Sequence, residues 1–219
     1  MTTKLYYYKA TGRAQQLRLA LAAANIPWED VQAAAFPATP EETEAWRVIG
    51  GNTTTNVPML VHNGKVYTQS SAILRAIGRL GGLMPSSEEE LYTTDKLIAD
   101  AEDLRTEAYK SFVTWGAPQS VADDFVNKVI PLHFGNLERQ LKEGGGDYFC
   151  GNKLTIADIT IFDAVTNFTS DRAPEDVLEG FDVLKAWKER VGKHEGIANF
   201  FASEQYTGLY KFDKSTLGY

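Results

Sequence analysis

Three consecutive tyrosines, Tyr6-Tyr7-Tyr8, precede Gly12-Arg13 in the run YYYKATGR. A phenol can donate a hydrogen bond, and a guanidinium at the opening of a helix adds its charge to the helix dipole, so together they favour an anion there. Alternation along a strand puts Tyr7 on the opposite face from Tyr6 and Tyr8. The tyrosines alone also read as ordinary strand aromatics; the arginine is what favours a functional one. Two further segments each carry two readings. Pro58, in Val57-Pro58-Met59-Leu60, is either the entry device of an edge strand or a cis residue that turns the Val57 amide and carbonyl toward an extended peptide ligand. In Gln69-Ser70-Ser71 a serine either caps the helix that begins there or helps the free amides of that helix to hold a carboxylate or phosphate.

The three histidines, His62, His133 and His194, stand too far apart for a metal-ligand spacing, so no metal is expected. Cys150 is the single cysteine, which excludes an internal disulfide and suits a reducing compartment. It lies outside the chemistry-bearing segments and reads as a core residue.

Positioning these groups requires a small sheet. Lys4 to Tyr8 reads as a strand ended by Gly12, and Ala14, Leu17, Leu21 and Ala24 recur at helical spacing. A strand around Trp28 to Val31 follows, then a connection rich in proline and threonine. Asn63-Gly64 joins Val57–Val61 to Lys65–Tyr67 as an antiparallel hairpin. A helix from Ser70 carries Ile73, Ile77 and Leu80 and stops at Gly81-Gly82. The order predicts an α+β domain at 1–82 with one parallel crossover and one hairpin.

The segment LMPSS at 83–87 reads as a linker, and only helices are expected over 88–219. Leu91, Ile98, Ala101, Ala108 and Phe112 mark one stripe. Val121, Phe125, Val129 and Leu132 mark a second, running on toward Leu141. Thr155-Ile156-Ala157-Asp158 is a capping box that opens an apolar helix to about Val165. Helices near 183–191 and 197–202 complete the domain, followed by an irregular tail.

YYYKATGRAQQLRLAL, VPML, QSSAILRAIGRL and LTIADITIFD, in this order and spacing, resemble the cytosolic glutathione transferases over nearly the whole chain. The Tyr-x5-Arg start and the stretch from Gln69 to Arg105 are most similar to the pi class, with mu, alpha and sigma close behind. The resemblance implies an N-terminal thioredoxin-like domain, a mixed four-stranded sheet with helices, ahead of an all-α domain. It implies glutathione as co-substrate, small hydrophobic electrophiles as the other substrates, a homodimer and a cytoplasmic location.

By the same resemblance, Tyr7 donates its hydroxyl to the glutathione sulfur with Arg13 beside it. Pro58 is cis, and the Val57 backbone pairs with the cysteinyl amide. Gln69 and Ser70 hold the γ-glutamyl group, and Asp103 of the other subunit reaches its ammonium. Trp46 and Arg47 take the glycine carboxylate, and Asn56 stands where relatives often carry Gln or Lys. Tyr8, Ala10, Tyr109 and Val113 are placed at the electrophile. Thr54 stands where pi relatives insert an aromatic into the partner, so dimer packing there must differ. The chain has neither Cys nor Ser in Lys9-Ala10-Thr11-Gly12-Arg13, which disfavours the disulfide-reducing branches of the family. A glutathione-dependent isomerase or peroxidase, and a non-catalytic carrier of hydrophobic ligands, are the alternatives on the same fold.

The bulk properties agree. A net charge of −7 argues against nucleic acid or an anionic membrane surface as partner. No apolar run reaches the ~20 residues of a membrane span, and the first residues lack the pattern of a leader.

Overall fold

Alternation in TKLYY produces the central strand. Thr3, Leu5 and Tyr7 are buried while Lys4 and Tyr6 are partly exposed, the period-two pattern of a sheet. This computed structural model describes residues 2–34, 38–51, 57–112, 118–170, 173 and 176–211. They form two compact units: residues up to Leu83 together with His194–Lys211, and Met84–Lys193.

In the first unit, β1 (Thr3–Tyr7) is followed by a 3-10 turn (Gly12–Ala14), α1 (Gln15–Ala23) and β2 (Glu29–Gln32), which lies parallel to β1. Tyr8 leaves the strand because its carbonyl turns to accept from Ala10 N at 2.7 Å. A helix then appears where the sequence suggested only a connection: α2 (Pro40–Gly50). Its signals are nonetheless local. The Glu42 amide donates to the Thr39 hydroxyl at 3.2 Å, and the Glu42 carboxylate accepts from Thr39 N at 3.0 Å. Pro40 occupies the first turn and Gly51, at φ 58°, closes the helix. The proline and threonine that read as a loop are the start of this helix.

The strands β3 (Met59–His62) and β4 (Lys65–Thr68) form the expected hairpin, turned by Asn63 and Gly64 at φ 50° and 79°. β3 starts at Met59 rather than Val57 because Pro58 has no N–H for the ladder. The sheet order is β2-β1-β3-β4, with β1 antiparallel to β3. α3 (Ser70–Leu80) then buries Ile73, Leu74 and Ile77, leaving Leu80 exposed.

The second unit is helical. Ser87 caps α4 (Glu88–Phe112), its hydroxyl accepting from Glu90 N at 3.2 Å. α5 (Gln119–Asp124) runs through one π-helical turn (Phe125–Val129) into α6 (Ile130–Gly144). That turn overturns the expected apolar stripe. A π turn takes one extra residue, so the face beyond it rotates. Beyond the turn the buried positions become Ile130, Phe134, Leu137 and Leu141, whereas Leu132 is 74% exposed; ahead of it, Ala122 and Phe125 are buried and Val121 is 37% exposed, a displacement the turn does not explain.

α7 (Ile156–Val165) matches its expected limits and is buried at every position. Its capping residue Asp158 accepts from the amides of Thr155 and Phe149, the Thr155 hydroxyl and the Trp187 indole, each at 2.9–3.0 Å. Burial pushes the Asp158 carboxyl up, and these four donors oppose that shift. Arg105, also fully buried, pairs with Asp163 at 3.0 Å and donates to Thr160 O at 2.9 Å. Cys150 is buried, and burial raises its thiol pKa, as suits a core residue. α8 (Asp182–Gly192) is joined to α6 by Glu138, which accepts from Leu184 N at 2.7 Å.

The last described segment belongs with the first unit, not with the helices it follows. α9 (Glu195–Phe201) packs so closely on α1 that a Cβ on Gly196 would lie 2.1 Å from the Ala22 carbonyl oxygen. α10 (Glu204–Thr207) falls in the stretch read as an irregular tail, capped by Ser203. Among the described residues no helix is long and apolar enough to cross a membrane.

Candidate active site

Strand polarity gathers the candidate residues. β1, β2 and β4 end, and β3 begins, at the same edge of the sheet. The ladder pairs Tyr6 with Met59 and Met59 with Thr68, so one step further sets Pro58 beside both Tyr7 and Gln69. Two helical N-termini lie just beyond these strand ends: that of the Gly12–Ala14 turn, with four residues between it and β1, and that of α3, with one residue between it and β4.

Tyr7 is 6% exposed and its phenolic oxygen accepts a hydrogen bond from Arg13 N–H at 3.0 Å. Gly12 permits this approach: at φ 41°, a Cβ there would stand 2.5 Å from the Tyr7 oxygen. Tyr6, on the other strand face, is only half-buried. Tyr8 packs its ring 5.1 Å from that of Tyr7 and 6.0 Å from Trp46, which α2 delivers from the outside. Trp46 is 7% exposed, and its neighbour Arg47 is ion-paired to Glu44 at 2.7 Å. Ala10 is buried.

The Val57–Pro58 bond is cis, and Pro58 is buried. Gln69 occupies φ 69°, ψ 110°, a backbone region rarely visited by residues other than glycine. Such strain costs about 1–3 kcal/mol and persists where surroundings enforce it. No side chain caps α3 at Gln69, so the capping alternative for Ser70 is not realised: Ser70 is the first residue of the helix itself. The first ladder bond runs from Ile73 N to Gln69 O, which leaves the preceding amides outside the ladder.

Tyr7, Tyr8, Ala10, Arg13, Trp46, Arg47, Val57, Pro58, Gln69 and Ser70 therefore all belong to the first unit. Asp103 and Tyr109 sit on α4 in the second, Asp103 exposed and Tyr109 with its ring 5.3 Å from Phe168. Asn56, Thr54 and Val113 lie outside the described residues. Sequence reasoning missed Arg18, which no motif singles out, and Tyr210, whose backbone pairs with residues 9–11. Among the described residues no group of three or more His, Cys, Asp or Glu side chains is placed to hold a metal.

Residues 3–79 match the family model for the glutathione S-transferase N-terminal domain, and residues 102–204 the model for its C-terminal domain. The chain is 30% identical over 200 residues to glutathione S-transferase 3 of Gallus gallus, covering 90% of this chain and 84% of that protein. It is 28% identical over 194 residues to glutathione S-transferase P 10 of Caenorhabditis elegans, covering 89% and 88%. The chain belongs to the glutathione S-transferase family. Its fold is similar to that of a pi-class glutathione S-transferase of Onchocerca volvulus, with a TM-score of 0.81, 20% identity, and 95% and 96% of the two chains covered. It is also similar to prostaglandin synthase D of Nilaparvata lugens, with a TM-score of 0.76, 25% identity, and 93% and 98% covered. The first unit is thioredoxin-like.

Proposed function

We propose that this glutathione transferase holds glutathione along the site edge of its sheet and keeps the sulfur as a thiolate with Tyr7. The thiolate then attacks small hydrophobic electrophiles. The observation that carries the reading is the Tyr7 hydroxyl, fixed at a helical N-terminus by the Arg13 amide at 3.0 Å. A phenol that accepts from an amide donates more strongly in turn, because linked hydrogen bonds polarise one another. A thiol of pKa about 8.5 is mostly protonated at pH 7. A hydrogen bond to the charged sulfur, worth about 1.5–3 kcal/mol, lowers that pKa by roughly one to two units. Arg13 and the dipole of the adjoining turn act in the same direction.

The rest of glutathione is assigned by the same logic. The Val57 backbone pairs with the cysteinyl amide, and Ser70 with the α3 amides takes the γ-glutamyl carboxylate beside Gln69. Trp46 and Arg47 take the glycine carboxylate; Arg47 would exchange an exposed pair with Glu44, which is worth little. Asp103 reaches the γ-glutamyl ammonium from the partner subunit, which makes the working form a homodimer. Tyr8 and Ala10, on the turn after Tyr7, face the electrophile.

The protein is expected to be retained on immobilised glutathione and to turn over an activated aryl halide. Tyr7→Phe removes the thiolate ultraviolet absorbance of the glutathione complex near neutral pH, and Tyr6→Phe does not. Loss of absorbance in Tyr6→Phe instead refutes the strand register. Failure of both retention and turnover leaves the hydrophobic-ligand carrier as the better reading.

A further inference from the structure

The turn from Tyr8 to Thr11 joins the strand that ends in Tyr7 to the helical turn that carries Gly12 and Arg13. An irregular turn has no ladder of its own, so its carbonyls need other partners. Arg18, on α1 and with no exposed surface, supplies most of them. Its Nη1 donates to Ala10 O at 2.8 Å and to Thr11 O at 3.3 Å, and its Nη2 to Tyr8 O at 3.5 Å. Its Nε donates to Asp30 Oδ2 on β2 at 2.8 Å, and that carboxylate is itself buried. The guanidinium carbon lies 5.8 Å from the centre of the Tyr7 ring, within cation–π range. On the outer side, Lys9 O accepts from Tyr210 N at 2.9 Å and Thr11 N donates to Tyr210 O at 3.0 Å. All four carbonyls of the turn thus have partners, three of them on one side chain.

We propose that Arg18 is a positioning residue for the transfer reaction, holding the Tyr8–Thr11 turn so that the Tyr7 hydroxyl and the Arg13 amide keep their 3.0 Å contact. The inference rests on Tyr7 being the donor to the glutathione sulfur. A buried ion pair is poor evidence of stabilisation, since well-packed apolar residues often do as well. What distinguishes Arg18 is convergence: its planar fork reaches the Ala10 and Thr11 carbonyls, and at longer range that of Tyr8, which also accepts from Ala10 N, while Asp30 fixes its stem. Hydrogen bonds weaken steeply with misalignment, and small displacements at a reacting group cost rate disproportionately.

Arg18→Lys keeps a cation opposite Asp30, but a point charge cannot serve the carboxylate and the carbonyls together. The apparent pKa of the bound glutathione thiol, read from thiolate absorbance against pH, is expected to rise by about one unit. Well below the parent's thiol pKa, kcat/KM falls about tenfold, with KM for glutathione little changed. Asp30→Asn, which retains Arg18 and one acceptor, shifts the thiol in the same direction by less, and it decides the matter if Arg18→Lys does not fold. Folded variants that melt earlier but keep the parent pH profile overturn the proposal, since a merely structural role moves only the melting temperature. Tyr7→Phe is measured alongside. If it keeps its thiolate, the Tyr7 reading and the positioning role both fall; if it loses the thiolate while the Arg18 and Asp30 variants match the parent, only the positioning role falls.

Discussion

Gly12 shows how little space the Tyr7 hydroxyl has. In the sequence Gly12 is only the residue that stops a strand; in the fold it is the clearance beside the phenol. A methyl group there would meet the Tyr7 oxygen at 2.5 Å and Cε1 at 2.9 Å, and its backbone is held at φ 41°. Gly12→Ala is therefore expected to destabilise the protein by roughly 1–3 kcal/mol and to lower kcat/KM by more than about tenfold as the phenol is pushed off its position. Gly64→Ala is the control: φ is 79°, but a Cβ there meets nothing within 4 Å. It carries the backbone cost without touching the site. Denaturant unfolding and kcat/KM measured on both variants separate the two effects; equal activity losses would refute the clearance argument. Strand alternation sets Tyr7 apart from Tyr6 and Tyr8 because it needs only the chain's local period. The role of Gly12 depends on two residues five apart meeting through a turn, which no local period reveals.

Elements were legible where their signals are local. The capping box of α7 and the Asn63-Gly64 hairpin are both contained in a few consecutive residues, and both are present. α2 shows the same physics overlooked, since Thr39, Pro40, Glu42 and Gly51 mark its ends as clearly. The α5–α6 face is a different case. A stripe extrapolated at 3.6 residues per turn fails after Phe125 because one π turn adds a residue, and nothing in FVNKV announces it. The two registers make opposite predictions at neighbouring positions. Leu132→Lys, at a site 74% exposed, is expected to change stability by less than about 0.5 kcal/mol. Phe134→Ala, fully buried, is expected to cost about 3–5 kcal/mol. Urea unfolding of both variants tests this; the reverse order would restore the uninterrupted stripe.

The molecule as a whole carries a net charge of −7, yet its proposed co-substrate is an anion. Local donors must therefore outweigh the global field, and one acidic residue is needed for the single cationic group of glutathione. Within the first unit the sheet edge contributes phenol, amides and hydroxyl, all suited to sulfur and carboxylates. The carboxylate assigned to the γ-glutamyl ammonium is Asp103, on α4 and open to solvent. The same helix is anchored two residues later by Arg105, which is fully buried against Asp163 and Thr160. Asp103 is thus displayed on the exposed side of a helix whose buried side is anchored. Asp103→Asn keeps the shape and a neutral acceptor but removes the charge. It is expected to raise KM for glutathione about tenfold, or ~1.4 kcal/mol, without altering the melting temperature. The cross-subunit assignment adds a second consequence. Diluted until the protein sediments as a monomer, the parent should lose glutathione affinity to the level of the variant, whereas the variant should change little. A monomer that binds glutathione as tightly as the parent dimer would remove Asp103 from the site and return it to the solvated face of α4.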